Sequence, residues 1–240
     1  MKMLSSIDIH THILPGMDDG SKNEDESRQM LARLAEQNVV TAALTPHYYH
    51  YKESLIDFLT RRNASLQILK PISDSMGIHI LPASETYLTE DLLNESDLKE
   101  LCFQSTQLLL VEMPLNSIFS ARDIMLLERI VSDYSITPVL AHIERYPRLL
   151  NSDELISELL EIGCLMQVNL CSMTESNAFI RKKLMHLLSD HLISFVGTDC
   201  HRMSFRPPEY TKYIDYISKK LGYGFMFRFM EDMSRMLMQT

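Results

Sequence analysis

The sequence predicts an α/β fold whose parallel strands close into a barrel, and two observations support this prediction. First, seven short aliphatic runs alternate with helix-length amphipathic segments, which is typical of a parallel sheet with crossover helices. Second, six of the seven runs end on or near a side chain that can bind a metal ion. A barrel brings the C-terminal ends of its strands to one mouth, whereas an open sheet would spread the same residues along an edge.

The expected strands and helices follow from the hydrophobic pattern. Gly, Pro or polar residues usually flank the strand-like runs, which are 7–10, 39–45, 78–83, 107–112, 136–142, 165–170 and 192–198. We expect a capping box at Ser21 and Glu24 to begin the first helix and Gly163 to end the third. Four apolar stripes at helical spacing mark the helices: Met30, Leu31 and Leu34; Ile124, Leu127, Val131 and Tyr134; Leu155, Ile156, Leu159 and Leu160; and Leu184, Leu187 and Leu188.

The composition is that of an ordinary globular protein and limits the kinds of partner. The chain is 45% hydrophobic and 23% charged, and we expect residues 1–240 to form one domain. A net charge of −9 argues against nucleic-acid binding, which requires a basic face. No apolar run approaches the ~18 residues of a membrane-spanning helix, so membrane insertion is not expected. Residues 1–9 lack the apolar segment of a signal peptide, and only 4 cysteines are present, which predicts a cytoplasmic location.

The candidate metal ligands follow the predicted strands in order. They are His10, His12, Asp18 or Asp19, His47, Glu85, Glu112, His142, Asp199 and His201. Each residue alone could be an ordinary core, turn or surface residue. Their order at successive strand ends favours a common site instead. Imidazole and carboxylate ligands suit Mn, Fe, Co or Zn. One ion takes about four to six ligands, so the set predicts a cluster of two or three divalent ions, which can hold a hydroxide and clamp phosphoryl oxygens.

These motifs resemble those of the polymerase-and-histidinol-phosphatase (PHP) superfamily. Within it, the chain is similar to the bacterial metal-dependent protein-tyrosine phosphatases of capsule and exopolysaccharide synthesis. The resemblance extends to about residue 225. It is carried by Asp8 to Gly20 with its His-x-His pair, Thr45-Pro-His47, Ala83-Ser-Glu85, Val111-Glu112, Ala141-His-Ile-Glu-Arg-Tyr146, Met166-Gln-Val-Asn169, and Gly197-Thr-Asp-Cys-His201 followed by Arg206-Pro-Pro208.

The resemblance implies a distorted seven-stranded (β/α) barrel with three metal ions, usually manganese. The implied ligand sets are His10, His12, Glu85 and Asp199; Glu85, Glu112 and His142; and Asp19, His47 and His201. It also implies that Arg145 and Arg206 bind the phosphate and that a metal-bridging hydroxide attacks phosphorus. The implied substrate is a phosphotyrosine protein, the tail of a bacterial tyrosine autokinase.

Three alternatives to this function follow from the same residues. A sibling phosphatase would act on histidinol phosphate or another small phosphomonoester, because substrate choice depends on loops that sequence reads poorly. An amidohydrolase-like metal hydrolase commonly uses a bridging lysine, and residues 107–112 contain none. The third alternative is a non-catalytic module whose metal ions are structural. Two arginines that can bind an anion argue against it, because a structural metal site does not need them.

Cys200 and Arg206 also have the Cys-x5-Arg spacing of cysteine-dependent tyrosine phosphatases. That chemistry needs successive backbone amides around the phosphate and a helix that begins there. The segment has no glycine between the two residues, and Pro207 and Pro208 remove two amide donors. Strand alternation also turns Cys200 away from its neighbours Asp199 and His201. We therefore expect a metal mechanism and not a cysteine nucleophile.

Overall fold

A set of parallel strands with intervening helices forms the protein, as the sequence predicts. The computed structural model describes residues 6–95, 97–114 and 119–238, so residues 1–5, part of the segment scanned for a signal peptide, lie outside it. The strands are β1 (Ser6–Thr11), β2 (Val39–Leu44), β3 (His47–Tyr48), β4 (His79–Pro82), β5 (Glu85–Tyr87), β6 (Leu108–Glu112), β7 (Thr137–Leu140), β8 (Leu165–Asn169) and β9 (Phe195–Gly197). The helices are α1 (Glu24–Ala35), α2 (Leu55–Ser75), α3 (Ala121–Tyr134), α4 (Pro147–Leu150), α5 (Asp153–Ile162), α6 (Ser172–Glu175), α7 (Ala178–Ser189), α8 (Thr211–Leu221) and α9 (Tyr223–Met238).

The strands form two parallel sheets that curl toward each other. One sheet has the order β1-β2-β4, and the other has the order β3-β5-β6-β7-β8-β9. The last strand of the second sheet meets the first strand of the chain. The amide of His12 donates to the carbonyl of Cys200 at 2.8 Å, and the amide of Asp199 donates to the carbonyl of His10 at 2.8 Å. These bonds bring the start and the end of the strand series to the same place.

Two short strands that the sequence did not predict lie just beyond two of the predicted runs. The run 39–45 ends in β2, and a short strand, β3, follows after Pro46; the run 78–83 ends in β4, and β5 follows. Pro46 has no amide hydrogen, so it cannot continue the ladder of β2. The pairing changes there, because β2 pairs with β4 whereas β3 pairs with β5. Each of the seven predicted runs forms one strand, and β3 and β5 bring the number of strands in the described residues to nine.

The predicted start of the first helix is wrong, whereas the predicted end of the third is confirmed. Asn23 caps α1, and its side chain accepts a hydrogen bond from the amide of Glu26 at 3.0 Å. Asn is a strong N-cap. The hydroxyl of Ser21 instead lies 2.7 Å from that of Ser27. Gly163 ends α5 with φ of 100°, a left-handed conformation that glycine adopts without strain.

The helices pack their apolar faces on the sheets, although one predicted face is rotated. On α3 the buried residues are Leu126, Leu127 and Ile130, whereas Ile124 and Tyr134 of the predicted stripe are only partly buried. The predicted stripe on α7 is confirmed, since Leu184, Leu187 and Leu188 are all buried. No helix in the described part of the chain combines the length and the apolar character that crossing a bilayer requires.

Gly197 permits the close approach of β9 to β1. A Cβ atom added there would lie 2.7 Å from Cβ of His10 and 3.0 Å from its backbone nitrogen. Gly197→Ala should therefore push the two strands apart and lower the free energy of unfolding by about 1–3 kcal/mol, as overpacking does. Gly224→Ala is the control, because its Cβ would meet only the Arg228 guanidinium, at 3.9 Å. Urea denaturation checks both variants, and equal stability of the two would contradict this account of the β1–β9 contact.

Candidate metal centre

All nine predicted metal-ligand residues lie together at the C-terminal ends of the strands. They are His10, His12, Asp19, His47, Glu85, Glu112, His142, Asp199 and His201. Seven of them are at most 6% exposed. The side chains of His47 and Asp19 are 14% and 62% exposed, so these two lie on the solvent side of the cluster. The converging strand ends thus bury most of the polar atoms of the site.

The carboxylate of Glu85 lies at the centre of the cluster. Its Oε2 lies 3.2 Å from Nε2 of His10, 3.2 Å from Nε2 of His12 and 3.0 Å from Nδ1 of His47. Its Oε1 lies 2.7 Å from Nε2 of His142. One carboxylate therefore contacts four imidazoles from three places in the strand series: the end of β1, the start of β3 and the end of β7.

Three subsets place one potential ligand atom per residue within 4.8 Å of each other. They are His12, Asp19, His47 and His201; His10, His12 and Glu85; and His47, Glu85 and Glu112. The two other predicted ligands lie beside these subsets. Asp199 Oδ1 is 3.6 Å from His10 Nε2 and 3.4 Å from His12 Nε2. His142 Nε2 is 3.6 Å from Glu112 Oε1.

The polar atoms of the cluster fit divalent cations. Nε2 of His10 and Nε2 of His12 face each other at 3.2 Å. Oε2 of Glu85 and Nδ1 of His47 are buried and lie 3.0 Å apart, but neither has a hydrogen bond of suitable angle in the described residues. Burial and the neighbouring Glu85 charge raise the pKa of Glu112 to about 7. Buried polar atoms without partners are costly, and cations between these nitrogens and carboxylates would satisfy them.

Asp18 supports the cluster from behind, and Asp19 is the member of the pair that joins it. Oδ2 of Asp18 lies 2.7 Å from Nδ1 of His12 and accepts from the amide of His47 at 2.9 Å. Burial alone would raise the pKa of Asp18, but His12 and His47 together outweigh burial and hold that pKa well below its usual range. This contact fixes the His12 ring with Nε2 toward Glu85, as outer carboxylates do for metal-binding histidines.

Gln167 and Asn169 on β8 support the cluster from the other side. Oε1 of Gln167 accepts from the amide of His142 at 2.6 Å, and its Nε2 donates to Oδ1 of Asn169 at 3.0 Å. Asn169 in turn donates to Oδ2 of Asp199 at 2.9 Å. Both residues lie in the motif Met166 to Asn169, but the sequence did not predict these contacts. Their two-residue spacing on one strand was the available signal, because it puts both on one face.

Asp8 was also missed as a supporting residue, although it continues the two-residue period of His10 and His12. Its carboxylate accepts from the amide and the hydroxyl of Thr198 at 2.9 and 2.6 Å, which ties β1 to the end of β9. Burial raises the pKa of Asp8 to about 6 despite these bonds. Asp8 therefore helps to hold the two strands together beneath the cluster.

Two arginines border the cluster on its solvent side. Arg145 and Arg206 both donate to Oδ2 of Asp199, the latter at 2.7 Å. Their side chains are 31% and 29% exposed, so they are accessible to a ligand that enters from solvent. Asp199 and Arg206 have φ of 52° and 51°. Such left-handed conformations are strained in non-glycine residues and persist where surrounding contacts enforce them.

Cys200 has the environment of a core residue and not of a nucleophile. The residue is fully buried, and burial raises the pKa of its thiol above the usual range. An activated cysteine requires the opposite shift. The helix that follows, α8, begins only at Thr211, so no helix begins at Arg206. The geometry agrees with the sequence argument against a cysteine mechanism.

Comparison with known proteins identifies the family. A family model described as "Capsular polysaccharide synthesis, CpsB/CapC" matches residues 6–239. The chain belongs to the CpsB/CapC family. The tyrosine-protein phosphatase CpsB of Streptococcus pneumoniae is 32% identical over 229 residues, which cover 90% of this chain and 91% of that protein. The tyrosine-protein phosphatase YwqE of Bacillus subtilis is 28% identical over 226 residues, covering 90% and 85%.

A solved structure supports the same family. It comes from a study of YwqE of Bacillus subtilis and CpsB of Streptococcus pneumoniae, described there as unique metal-dependent tyrosine phosphatases. Its TM-score is 0.80 at 25% identity, and the match covers 96% of this chain and 94% of the other. The predicted resemblance to the capsule-associated tyrosine phosphatases is thus confirmed.

The outer contact of Asp18 gives a prediction for this CpsB/CapC family member. Asp18→Asn keeps the shape of the side chain but removes the charge that faces His12, so Mn²⁺ should bind about 10–100-fold more weakly. Asp215→Asn, at an exposed position on α8, is the matched control. Titration of the metal-stripped protein with Mn²⁺ measures both affinities. Unchanged affinity in Asp18→Asn would show that this contact does not organise the site.

Proposed function

We propose that the protein is a metal-dependent protein-tyrosine phosphatase that hydrolyses phosphotyrosine in capsule or exopolysaccharide synthesis. The observation that carries this proposal is the Glu85-centred cluster of imidazoles and carboxylates with two arginines at its solvent side. Ligands for several cations stand there beside donors for an anion, which is the arrangement that a phosphate ester needs. The names of the CpsB/CapC relatives support the same activity.

The proposed metal ligands are the nine residues predicted from the sequence. We assign two or three divalent ions to them, with manganese preferred over iron, cobalt or zinc. The mixed imidazole and carboxylate donors suit all four metals, and the preference for manganese rests on the resemblance to the PHP phosphatases. When bound, such ions supply an activated water as nucleophile and positive charge beside the phosphate oxygens.

Arg145 and Arg206 bind and orient the phosphate in this proposal. Both guanidinium groups lie against Asp199 and reach solvent, so their remaining N–H groups can contact phosphate oxygens. Arginine suits this role because it is planar, permanently charged and able to contact two oxygens. In the transition state these donors stabilise the charge on the equatorial oxygens. The leaving phenolate of tyrosine, with a conjugate-acid pKa of ~10, needs less protonation than a serine alkoxide.

An aromatic wall beside the cluster supports an aromatic substrate. The Tyr49 ring lies 5.2 Å from the His47 ring and 5.4 Å from the Tyr87 ring, measured between centroids. A cavity of about 590 Å³ is lined by His47, Asp19, Tyr49 and Lys52, among others. Aromatic rings favour offset or edge contacts at such distances. A phenyl ring that enters beside Tyr49 would carry its phosphate toward the exposed side of the cluster.

The remaining parts of the proposal concern the fold and the setting. We assign residues 1–240 to a single domain of PHP type, whose strand segments act as a distorted seven-stranded barrel. The hydrogen bonds between β1 and the segment after β9 support closure. The proposed substrate is the phosphorylated tail of a bacterial tyrosine autokinase, which places the reaction in the cytoplasm. The family's place in capsular polysaccharide synthesis supports this partner.

A substrate panel tests the function. Initial rates are measured on a phosphotyrosine peptide, a phosphoserine peptide and histidinol phosphate, each with Mn²⁺ and after chelation. We expect the phosphotyrosine peptide to react fastest and all activity to require metal. Glu85→Gln, which keeps the size of the side chain, should be inactive. Loss of activity in this variant would assign the activity to this site. Preference for histidinol phosphate would instead indicate a small-molecule phosphatase.

Loss of either arginine should impair phosphate binding and catalysis but not metal binding. Arg145→Ala and Arg206→Ala should each lower kcat/KM by ~10²-fold or more, by comparison with the removal of one oxyanion donor. Arg228→Ala on the exposed face of α9 is the control. Steady-state kinetics and elemental analysis of the same samples separate the two effects. If the arginine variants lose their metal, the division of roles proposed for these residues is wrong.

Replacement of the Cys200 thiol distinguishes the two phosphatase mechanisms. Cys200→Ser should keep most of the activity, because the buried thiol is not the nucleophile. Cys164→Ser is the control for placing a hydroxyl in the core, since Cys164 is also buried. Activity is compared after circular dichroism confirms folding. A folded but inactive Cys200→Ser, together with active chelated wild type, would overturn the metal mechanism.

A further inference from the structure

A second polar cleft lies away from the metal centre, where the two sheets separate. Strand β4 is the last strand of its sheet, and the other sheet continues through β5 and β6 instead. Beside β4, a cleft of about 530 Å³ lies between α2 and residues 99–105. None of the nine predicted metal-ligand residues lines it. Its polar lining includes Arg62, Lys70, His79, Lys99, Gln104 and Ser105.

Arg62 is a buried cation without a carboxylate partner. The residue is only 5% exposed. Its Nη1 donates to the carbonyls of Ala83 and Glu100 at 3.3 and 2.8 Å, and its Nε has no hydrogen-bond partner. No carboxylate in the described residues lies within 4.0 Å of the guanidinium. A buried charge is costly unless it is paired, and two carbonyl oxygens supply only partial negative charge.

The charges around the cleft are mostly positive. Arg62, Lys70 and Lys99 line it, against a single acidic side chain, Glu100. Lys70 also pairs with Asp74 at 3.1 Å, whereas Lys99 forms no ion pair within the described residues. The chain as a whole has a net charge of −9. A local excess of cations in an acidic protein is therefore a specific feature of this cleft.

We propose that this cleft binds a small molecule that carries a phosphate or carboxylate group. The anionic group would pair with the Arg62 guanidinium and contact Lys99, which is exposed beside the cleft. The side-chain amide of Gln104 and the hydroxyl of Ser105 provide further neutral donors in the lining. The volume lies within the usual 300–1,000 Å³ of small-molecule sites, which allows a ligand larger than a bare ion. This site is independent of the phosphatase activity proposed above.

Residue-resolved NMR tests the proposal on the full chain. Inorganic phosphate and citrate are titrated separately, and backbone amide shifts of Lys99, Gln104 and Ser105 report on the cleft. The Thr198 amide reports on the metal centre, so phosphate bound there is recognised separately. We expect the amide shifts of the cleft residues to saturate with at least one of the two anions. The anion that binds with the higher affinity identifies the preferred group, phosphate or carboxylate. Shifts confined to the metal centre, or no saturation with either anion, would overturn the proposal.

Variants decide whether Arg62 is responsible. Arg62→Gln should weaken anion binding in the cleft by roughly 10-fold or more, as the loss of a charge-assisted hydrogen bond does. Lys99→Ala, at an exposed position, should weaken anion binding in the cleft about threefold to tenfold. If Arg62→Gln does not fold, the Lys99→Ala variant tests the site in its place. Lys219→Ala on the exposed face of α8 is the matched control. Equal affinity in Lys99→Ala and Lys219→Ala would contradict the proposed site.

Discussion

The contact of one carboxylate with four imidazoles is the interaction on which the rest of the structure depends. Glu85 lies 2.7–3.2 Å from the ring nitrogens of His10, His12, His47 and His142. These side chains come from distant parts of the chain, and only the convergence of parallel strand ends brings them together. The hydrogen bonds that join β1 to the segment after β9 complete this convergence, because they place Asp199 beside His10.

The surrounding residues separate a buried cluster from an accessible entrance. Asp18, Gln167 and Asp8 satisfy groups behind the cluster and hold its strands in place. On the other side, Arg145 and Arg206 are partly exposed. A phosphate can therefore approach from the side on which the arginines, His47 and Asp19 reach solvent, while the hydrogen-bonded base of the site stays fixed. This arrangement gives a preorganised electrostatic environment, which enzymes use to stabilise transition-state charge.

The sequence predicted the parallel fold and the grouping of the candidate ligands, because strand ends are readable from hydrophobic runs. It did not predict contacts across strands, since spacing along one strand does not give distances to another. For that reason the role of Gln167 was missed, and strand order alone left Asp18 and Asp19 as alternatives, between which only the family resemblance chose Asp19. The cap of α1 was misplaced because Ser21 and Asn23 are both good N-caps, and only the local backbone decides between them. The short strands β3 and β5 were also missed, because two or three residues carry no hydrophobic pattern and their pairing partner is not readable from the sequence.

Anomalous diffraction from crystals of the manganese-loaded protein tests the central claim most directly. Data collected on either side of the manganese absorption edge locate each ion without assumptions about its ligands. The account predicts two or three anomalous peaks, one of them between His10, His12 and Glu85 and another beside His47 and Glu85. The absence of any peak within coordination distance of Glu85 in fully loaded, active protein would contradict the account.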